Sequence, residues 1–198
     1  ILAYFAPAVQ LGLTATPKRT LNANTYAYFG EPVYVYSLKE GINDGFLTPF
    51  KVKQIATTID DYTYTPDDAV VAGEVVAGKR YVESDFNKII VIPEREAYRV
   101  KLLMGMIDQR EKTIVFCDDI DHAERMRQAL VNLNPDRIRE NRKYVMRITG
   151  DEAEGKAELD NFINPEERYP VIATTSKLMT TGVDAQTCKL IVLDQHIK

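Results

Sequence analysis

The sequence predicts an α/β domain built on a parallel sheet. Three observations carry that expectation. Short, continuous apolar runs recur at "TIVFC" (113–117), "VIAT" (171–174) and "KLIVLD" (189–194), as strands buried on both faces require. Segments of helical period alternate with them. The apolar runs also end in hydroxyls, glycines and aspartates, and ligands of open α/β sheets bind at the carboxyl ends of strands.

The elements follow in order. Residues 9–16 read as a strand, with Val9, Leu11 and Leu13 alternating before Pro17 stops it. "PVYVYS" (32–37) reads as another. Ser37 stands three residues before Glu40, a capping-box spacing, and opens a short helix that Gly45 ends. "FKVKQIATT" (50–58) is a further expected strand. Residues 60–88 are polar, carry Pro66, Gly73 and Gly78, and read as a loop-rich insertion. Pro93 starts a helix with Ala97, Val100, Met104 and Ile107 on one face. After the strand at 113–117, Met126, Ala129, Leu130 and Leu133 mark a second helix. "YVMRI" (144–148) is the next strand. Asp151 and Glu154 form a capping pair for a third helix carrying Ala157, Leu159, Phe162 and Ile163.

Composition bounds the function. The chain has 198 residues, 45% of them apolar and 27% charged, as in an ordinary globular domain. No apolar run approaches the ~20 residues that span a bilayer. Two cysteines, Cys117 and Cys188, are too few for a disulfide scaffold and fit a reducing compartment, so a cytoplasmic location is expected. The net charge of −4 opposes nucleic-acid binding by bulk electrostatics. The basic run "NPDRIRENRKYVMR" (134–147) reads as a solvated loop. Both ends look cut: the chain opens without methionine in an apolar segment (Leu2, Phe5, Ala6), and it stops just after a strand-like run. A fragment of a larger protein is expected.

The chemistry sits at the strand ends. They offer Thr14-Ala15-Thr16, Cys117-Asp118, Thr149-Gly150-Asp151 and Thr174-Thr175-Ser176, and a loop then carries Thr180-Thr181-Gly182-Val183-Asp184. Neutral hydroxyls and backbone amides hold phosphate oxygens without Lys or Arg, which answers the charge objection. Gly182 permits close approach of a ligand, and Asp184 is placed to accept from a ribose hydroxyl.

At these residues the chain resembles the superfamily 2 helicase-like ATP-driven motors. Thr14-Ala15-Thr16 resembles their motif III, which couples the two lobes. "TIVFCDDIDHAERM" (113–126) resembles motif IV, "ITGD" (148–151) a backbone-contacting segment, and "ATTSKLMTTGVD" (173–184) motif V. "LGLTATPKRT", "NTYAYFGEPVYVYSLKEGINDGFLTPFKV" and "TTSKLMTTGVDAQTCKLIVLDQHI" narrow the match to the restriction (R) subunit of type I restriction–modification enzymes. The resemblance spans nearly the whole chain and is least diagnostic at 59–85.

It implies a RecA-like parallel sheet with flanking helices. Residues 1–18 would end the first lobe. Residues 19–198 would form most of the second, with an insertion at about 59–92. It implies an ATP- and Mg²⁺-dependent motor that moves duplex DNA before endonuclease cleavage, with methylation and specificity subunits as partners. Thr149, Gly150, Thr174, Thr175 and Thr181 would grip one DNA strand, and Gly182 and Asp184 would meet the nucleotide. The family's ATP-binding loop and acidic Mg²⁺ box would lie upstream and its arginine finger downstream, so this segment alone is expected not to hydrolyse ATP. The alternatives are another superfamily 2 motor, such as a repair helicase, and a non-catalytic α/β module that binds a nucleotide or a protein.

Three lookalikes are set aside. "GEVVAGKR" (73–80) approaches a phosphate loop, but Arg80 stands where a hydroxyl should bind Mg²⁺ and no apolar helix follows. Glu154-Gly155-Lys156 mimics a nuclease E-x-K, yet falls in the first turns of a helix, where Glu suits the dipole. Cys117, His122, Cys188 and His196 follow no zinc spacing; a core thiol and surface histidines are expected, and no metal site.

Overall fold

The computed structural model describes residue 4 and residues 7–20, 23–55, 61–65, 75–82, 85–86, 90–108, 110–179 and 182–195. The chain divides into two units, Ile1–Ile55 and Ala56–Lys198. The boundary at residue 18 suggested by the resemblance falls inside the first.

Unit 1 is a set of short local elements. Strands β1 (Arg19–Thr20) and β2 (Ala23–Asn24) pair antiparallel. Helix α1 (Thr25–Phe29) follows, and the Asn24 side chain accepts from the Ala27 amide at 3.0 Å as its cap. Helix α2 (Leu38–Asn43) has the expected capping box: Ser37 Oγ accepts from the Glu40 amide (3.2 Å) and Glu40 Oε2 from the Ser37 amide (2.7 Å). These bonds hold the Glu40 carboxyl below its ordinary range. Gly45 then turns the chain at φ +81°.

The strands expected at 9–16 and 32–37 do not form, and residues 50–55 of the third are also irregular. Residues 56–58, like Leu2, Phe5 and Ala6, lie outside the described residues. Alternation states which side chains a strand would bury, but a strand also needs a neighbour to satisfy its backbone. Among the described residues of unit 1 no strand pairs with these segments, and Val9, Leu11 and Leu13 are exposed. Tyr34 and Tyr36, in the strand expected at 32–37, are likewise on the surface. They stack on each other at 6.5 Å, and the Tyr36 hydroxyl donates to Asp44.

Unit 2 holds the sheet. It opens with an antiparallel pair, β3 (Asp61–Thr63) and β4 (Arg80–Val82). The segment read as a loop is thus partly a hairpin, and it has its own small core: Tyr81, Phe86 and Ile90 are buried together. Residues 76–79 of "GEVVAGKR" supply its turn, with Gly78 at φ +73°, and among the described residues of this unit no α-helix begins before Pro93.

Helix α3 (Pro93–Met104) leads to β5 (Lys112–Cys117). Then come α4 (Ile120–Leu133), α5 (Pro135–Glu140), β6 (Val145–Arg147), α6 (Ala153–Ile163), β7 (Ile172–Thr175) and β8 (Cys188–Asp194). The four strands β5–β8 form one sheet in the order β6-β7-β5-β8, parallel throughout. This is the fold class the sequence predicts.

Two apolar clusters sandwich the sheet. Val100, Leu103, Ala123, Met126 and Leu130 of α3 and α4 meet Val115, Cys117, Val145 and Ile172 in one. Phe162 of α6 meets Ile114, Ile148, Ala173 and Met179 in the other. On α3 the buried stripe is Glu96, Val100 and Leu103, so Ala97, expected on that face, is exposed one position off.

Helix α6 departs from the capping expectation. Its N-cap is Glu152, without a side-chain cap bond, because that carboxylate is committed to Arg147 at 2.7 Å. Its far end explains a buried lysine. Pro165 has no amide to give Asn161, and the Glu166 amide is taken by the Asn164 side chain (3.0 Å). Lys112 fills the gap: its ammonium donates to the carbonyls of Asn161 (2.9 Å), Phe162 (2.7 Å) and Asn164 (3.0 Å). Among the described residues no helix is long and apolar enough to cross a membrane.

Candidate functional site

Because all four strands run parallel, their carboxyl ends share one edge. That edge presents Asp118 and Asp119 after β5, Thr149-Gly150-Asp151 after β6, Ser176-Lys177 after β7 and Gln195 after β8. Its threonines point inward. Thr149, Thr174 and Thr175 are fully buried, and Thr175 Oγ1 donates to the Ile148 carbonyl at 2.6 Å, tying β7 to the end of β6. Gly150 is exposed and carries no side chain to shield the neighbouring amides.

Gly182 and Asp184 sit in the connection from β7 to β8. Met179, Val183 and Ala185 pack inward against the α6-side cluster, which leaves Gly182 and Asp184 facing out. Gly182 adopts φ +76°, a conformation that favours glycine, with open space where a Cβ would stand. Asp184 accepts from Gln186 Nε2 at 3.2 Å. Thr180 and Thr181 lie outside the described residues. Thr14-Ala15-Thr16 belongs to unit 1, where it forms an exposed turn with Thr14 Oγ1 accepting from the Thr16 amide at 3.1 Å.

Two features escaped the sequence reading. A cleft of about 450 Å³ lies against β6, lined by Glu124, Arg127, Arg142, Lys143, Arg147 and Glu152. Arg142, Lys143 and Arg147 come from the basic run and Arg127 from α4, and these cations are largely neutralised. Arg127 binds Glu124 (2.5 Å), Arg147 binds Glu152 (2.7 Å), and Lys143 binds Glu158 (2.6 Å). A phosphate entering there would have to break those pairs.

The second feature is a buried charge cluster where β5, β8, α3 and α4 meet. Arg99 donates to Asp194 Oδ1, and His122 Nε2 lies 3.5 Å from Oδ2. Burial pushes the Asp194 carboxyl up, but His122 and Arg99 outweigh it and hold the group below its ordinary range. His122 is fully buried rather than on the surface as its sequence context suggested, because it caps its own turn: Nδ1 accepts from the Asp118 amide at 3.2 Å. Cys117 is the expected core thiol, and burial pushes its pKa far up. Glu154-Gly155-Lys156 occupies the first turns of α6 as expected. Gly155 has a reason of its own: a Cβ there would stand 2.4 Å from the Arg147 carbonyl oxygen.

No family model matches the chain. Over its full length the chain is 56% identical to the endonuclease subunit of the type I restriction enzyme EcoAI of Escherichia coli, spanning 25% of that protein. It is 29% identical, over 94% of its length, to the EcoKI endonuclease subunit of E. coli strain K12, of which it spans 17%. A solved fragment assigned as the HsdR subunit of a type I restriction enzyme from Vibrio vulnificus YJ016 aligns with the whole chain and with 35% of its own length, at TM-score 0.74 and 39% identity. The chain therefore spans a quarter or less of the curated relatives it matches.

Proposed function

The chain is a homologue of the endonuclease subunits of type I restriction enzymes, spanning a quarter or less of their length, and from that premise we propose that it is part of their ATP-dependent motor, coupling ATP hydrolysis to movement along duplex DNA before cleavage. One observation carries the reading. The segments resembling motifs III, IV and V follow in order along the chain, and those after β5, β6 and β7 begin on one edge of one parallel sheet. In this reading residues 1–18 end the first RecA-like lobe and residues 19–198 build the second.

Thr14 and Thr16 couple the lobes. Thr149, Gly150, Thr174, Thr175 and Thr181 build the strand-gripping edge. Thr149, Thr174 and Thr175 are buried, so their part is to hold the turns, while Gly150 and the backbone beyond β7 face the phosphates. For ATP, the open space at Gly182 and the exposed Asp184 carboxylate fit a nucleotide: the first admits it, and the second is an acceptor for a ribose hydroxyl. Bound ATP supplies the phosphoryl transfer that drives the step. In this reading Mg²⁺ accompanies the ATP and is held by the acidic box expected upstream of this segment. Duplex DNA and the methylation and specificity subunits are the partners this reading implies.

The test is DNA-stimulated ATP hydrolysis and translocation by the complete subunit containing this segment. Thr14→Ala/Thr16→Ala should leave hydrolysis running without translocation, and Asp184→Ala should raise the ATP concentration needed. Variants that match wild type in both assays would remove the motor assignment.

A further inference from the structure

Asp194 closes β8 in register with Cys117, the last residue of β5, and is 6% exposed. The groups facing it come from two helices. From α3, Arg99 donates to Oδ1, and the buried Arg95 adds its charge. From α4, His122 presents Nε2 to Oδ2. Nδ1 of His122 accepts from the Asp118 amide, so the other ring nitrogen, Nε2, is the one that faces the carboxylate. Glu96 and Arg125 (2.9 Å) join α3 to α4 beside this cluster. Arg95 also reaches the other way: its guanidinium lies 4.2 Å from the Phe86 ring, in the small core of the β3–β4 hairpin.

Stability alone does not account for such an arrangement. A buried ion cluster is often no better than apolar side chains of equal volume, and its best-attested use is to fix one geometry among several. Here the geometry fixed is that of the carboxyl edge. The cluster holds the end of β8 and the turn from β5 into α4, and through Arg95 it ties both to the hairpin.

We propose that Asp194 is a positioning residue, locking the exit of β8 and the Asp118–His122 turn into one arrangement from which the motor's turnover step proceeds. The proposal rests on the motor reading. Loss of the lock slows turnover and leaves ligand binding intact, because none of the clustered side chains is among those assigned to nucleotide or DNA.

The experiment measures DNA-stimulated ATP turnover of the complete subunit against ATP concentration, for wild type, Asp194→Asn, His122→Gln and Arg99→Lys. Peptide-level hydrogen exchange and thermal melting are recorded on the same samples. Asp194→Asn should lower kcat at least tenfold with KM for ATP within twofold, and exchange should speed up at 118–122 but not at 153–163. Arg99→Lys, which keeps the charge, should recover most of the rate. If Asp194→Asn does not fold, His122→Gln stands in its place. Wild-type kcat in a folded variant overturns the proposal, and so does a kcat loss matched by an equal rise in KM. If the wild-type subunit shows no DNA-stimulated turnover, the motor reading fails, and the exchange data decide the lock on their own: unchanged exchange at 118–122 overturns it.

Discussion

Replacing Lys112 by methionine isolates one interaction that the fold depends on. The ammonium is the donor for three carbonyls at the end of α6, at 2.7–3.0 Å. Two of those carbonyls lost their helical partners to Pro165 and to the Asn164 side chain. Methionine keeps the length and apolar stem, so little cavity arises. A hydrogen bond to a charged group contributes about 1.5–3 kcal/mol, but the three bonds share one ammonium and are not additive. Burial of that ammonium opposes them and lowers its pKa. Buried acceptors left without a donor cost about 1–3 kcal/mol each, carbonyls less than most. The net expectation is a loss of about 3 kcal/mol, a shift in urea midpoint of about 1–3 M at the usual dependence on denaturant. Far-UV circular dichroism reads it, because most of the helix content lies in α3–α6. Exposed Lys39→Met is the control and should stay within about 0.5 kcal/mol. A Lys112→Met variant as stable as that control would refute the reasoning: the three bonds would then only offset the cost of burying the charge.

Gly155→Ala should destabilise unit 2 by about 1–3 kcal/mol in urea titration, because the new methyl meets a backbone oxygen; the roughly 1 kcal/mol gain usual for Gly→Ala in a helix would instead show that β6 and α6 can part. Ser37→Ala removes one half of the α2 capping box and should cost about 1 kcal/mol, seen as faster hydrogen exchange at 38–43. Glu158 is buried; burial pushes its carboxyl up, but Asn161 and Lys143 outweigh it and hold the folded value below 4.5. The unfolded chain then binds the proton more readily, so this stability is present above pH 4.5 and is lost as pH falls through the folded value. Glu158→Gln should flatten that acid limb in denaturation midpoints taken across pH 3–6.

What the sequence made legible was whatever short-range order decides. The apolar runs of β5, β7 and β8 fell where expected, as did the Pro93 start of α3 and the Ser37–Glu40 box. Val9–Thr16 and "PVYVYS" were misread because alternation is also compatible with an irregular exposed segment, and nothing local reports whether a neighbouring strand exists. The hydroxyls of Thr174 and Thr175 were placed at the surface because they end an apolar run; β7 extends through both, and the edge begins one residue later. The Asp194 cluster was invisible for a different reason. Arg99, His122 and Asp194 come from three elements, and only the closed sheet brings their charges together. Lys112 lay just outside the run read as a strand at 113–117, although Pro165, which creates its role, was in plain view.

The strand order has a kinetic consequence. β5 is made first yet lies between β7 and β8, so neither of its hydrogen-bonded neighbours exists until Ile172–Thr175 and Cys188–Asp194 have been synthesised. At about 5–20 residues per second, its apolar faces and open ladder wait several seconds on the ribosome, with α3 and α4 able to cover only one side. Closure then depends on distant pairings, which are slow to find and leave a sticky strand bare meanwhile. Nascent chains that stall before Ile172 should therefore be the aggregation-prone species of this protein, and chaperone contact should peak while β5 has no neighbour.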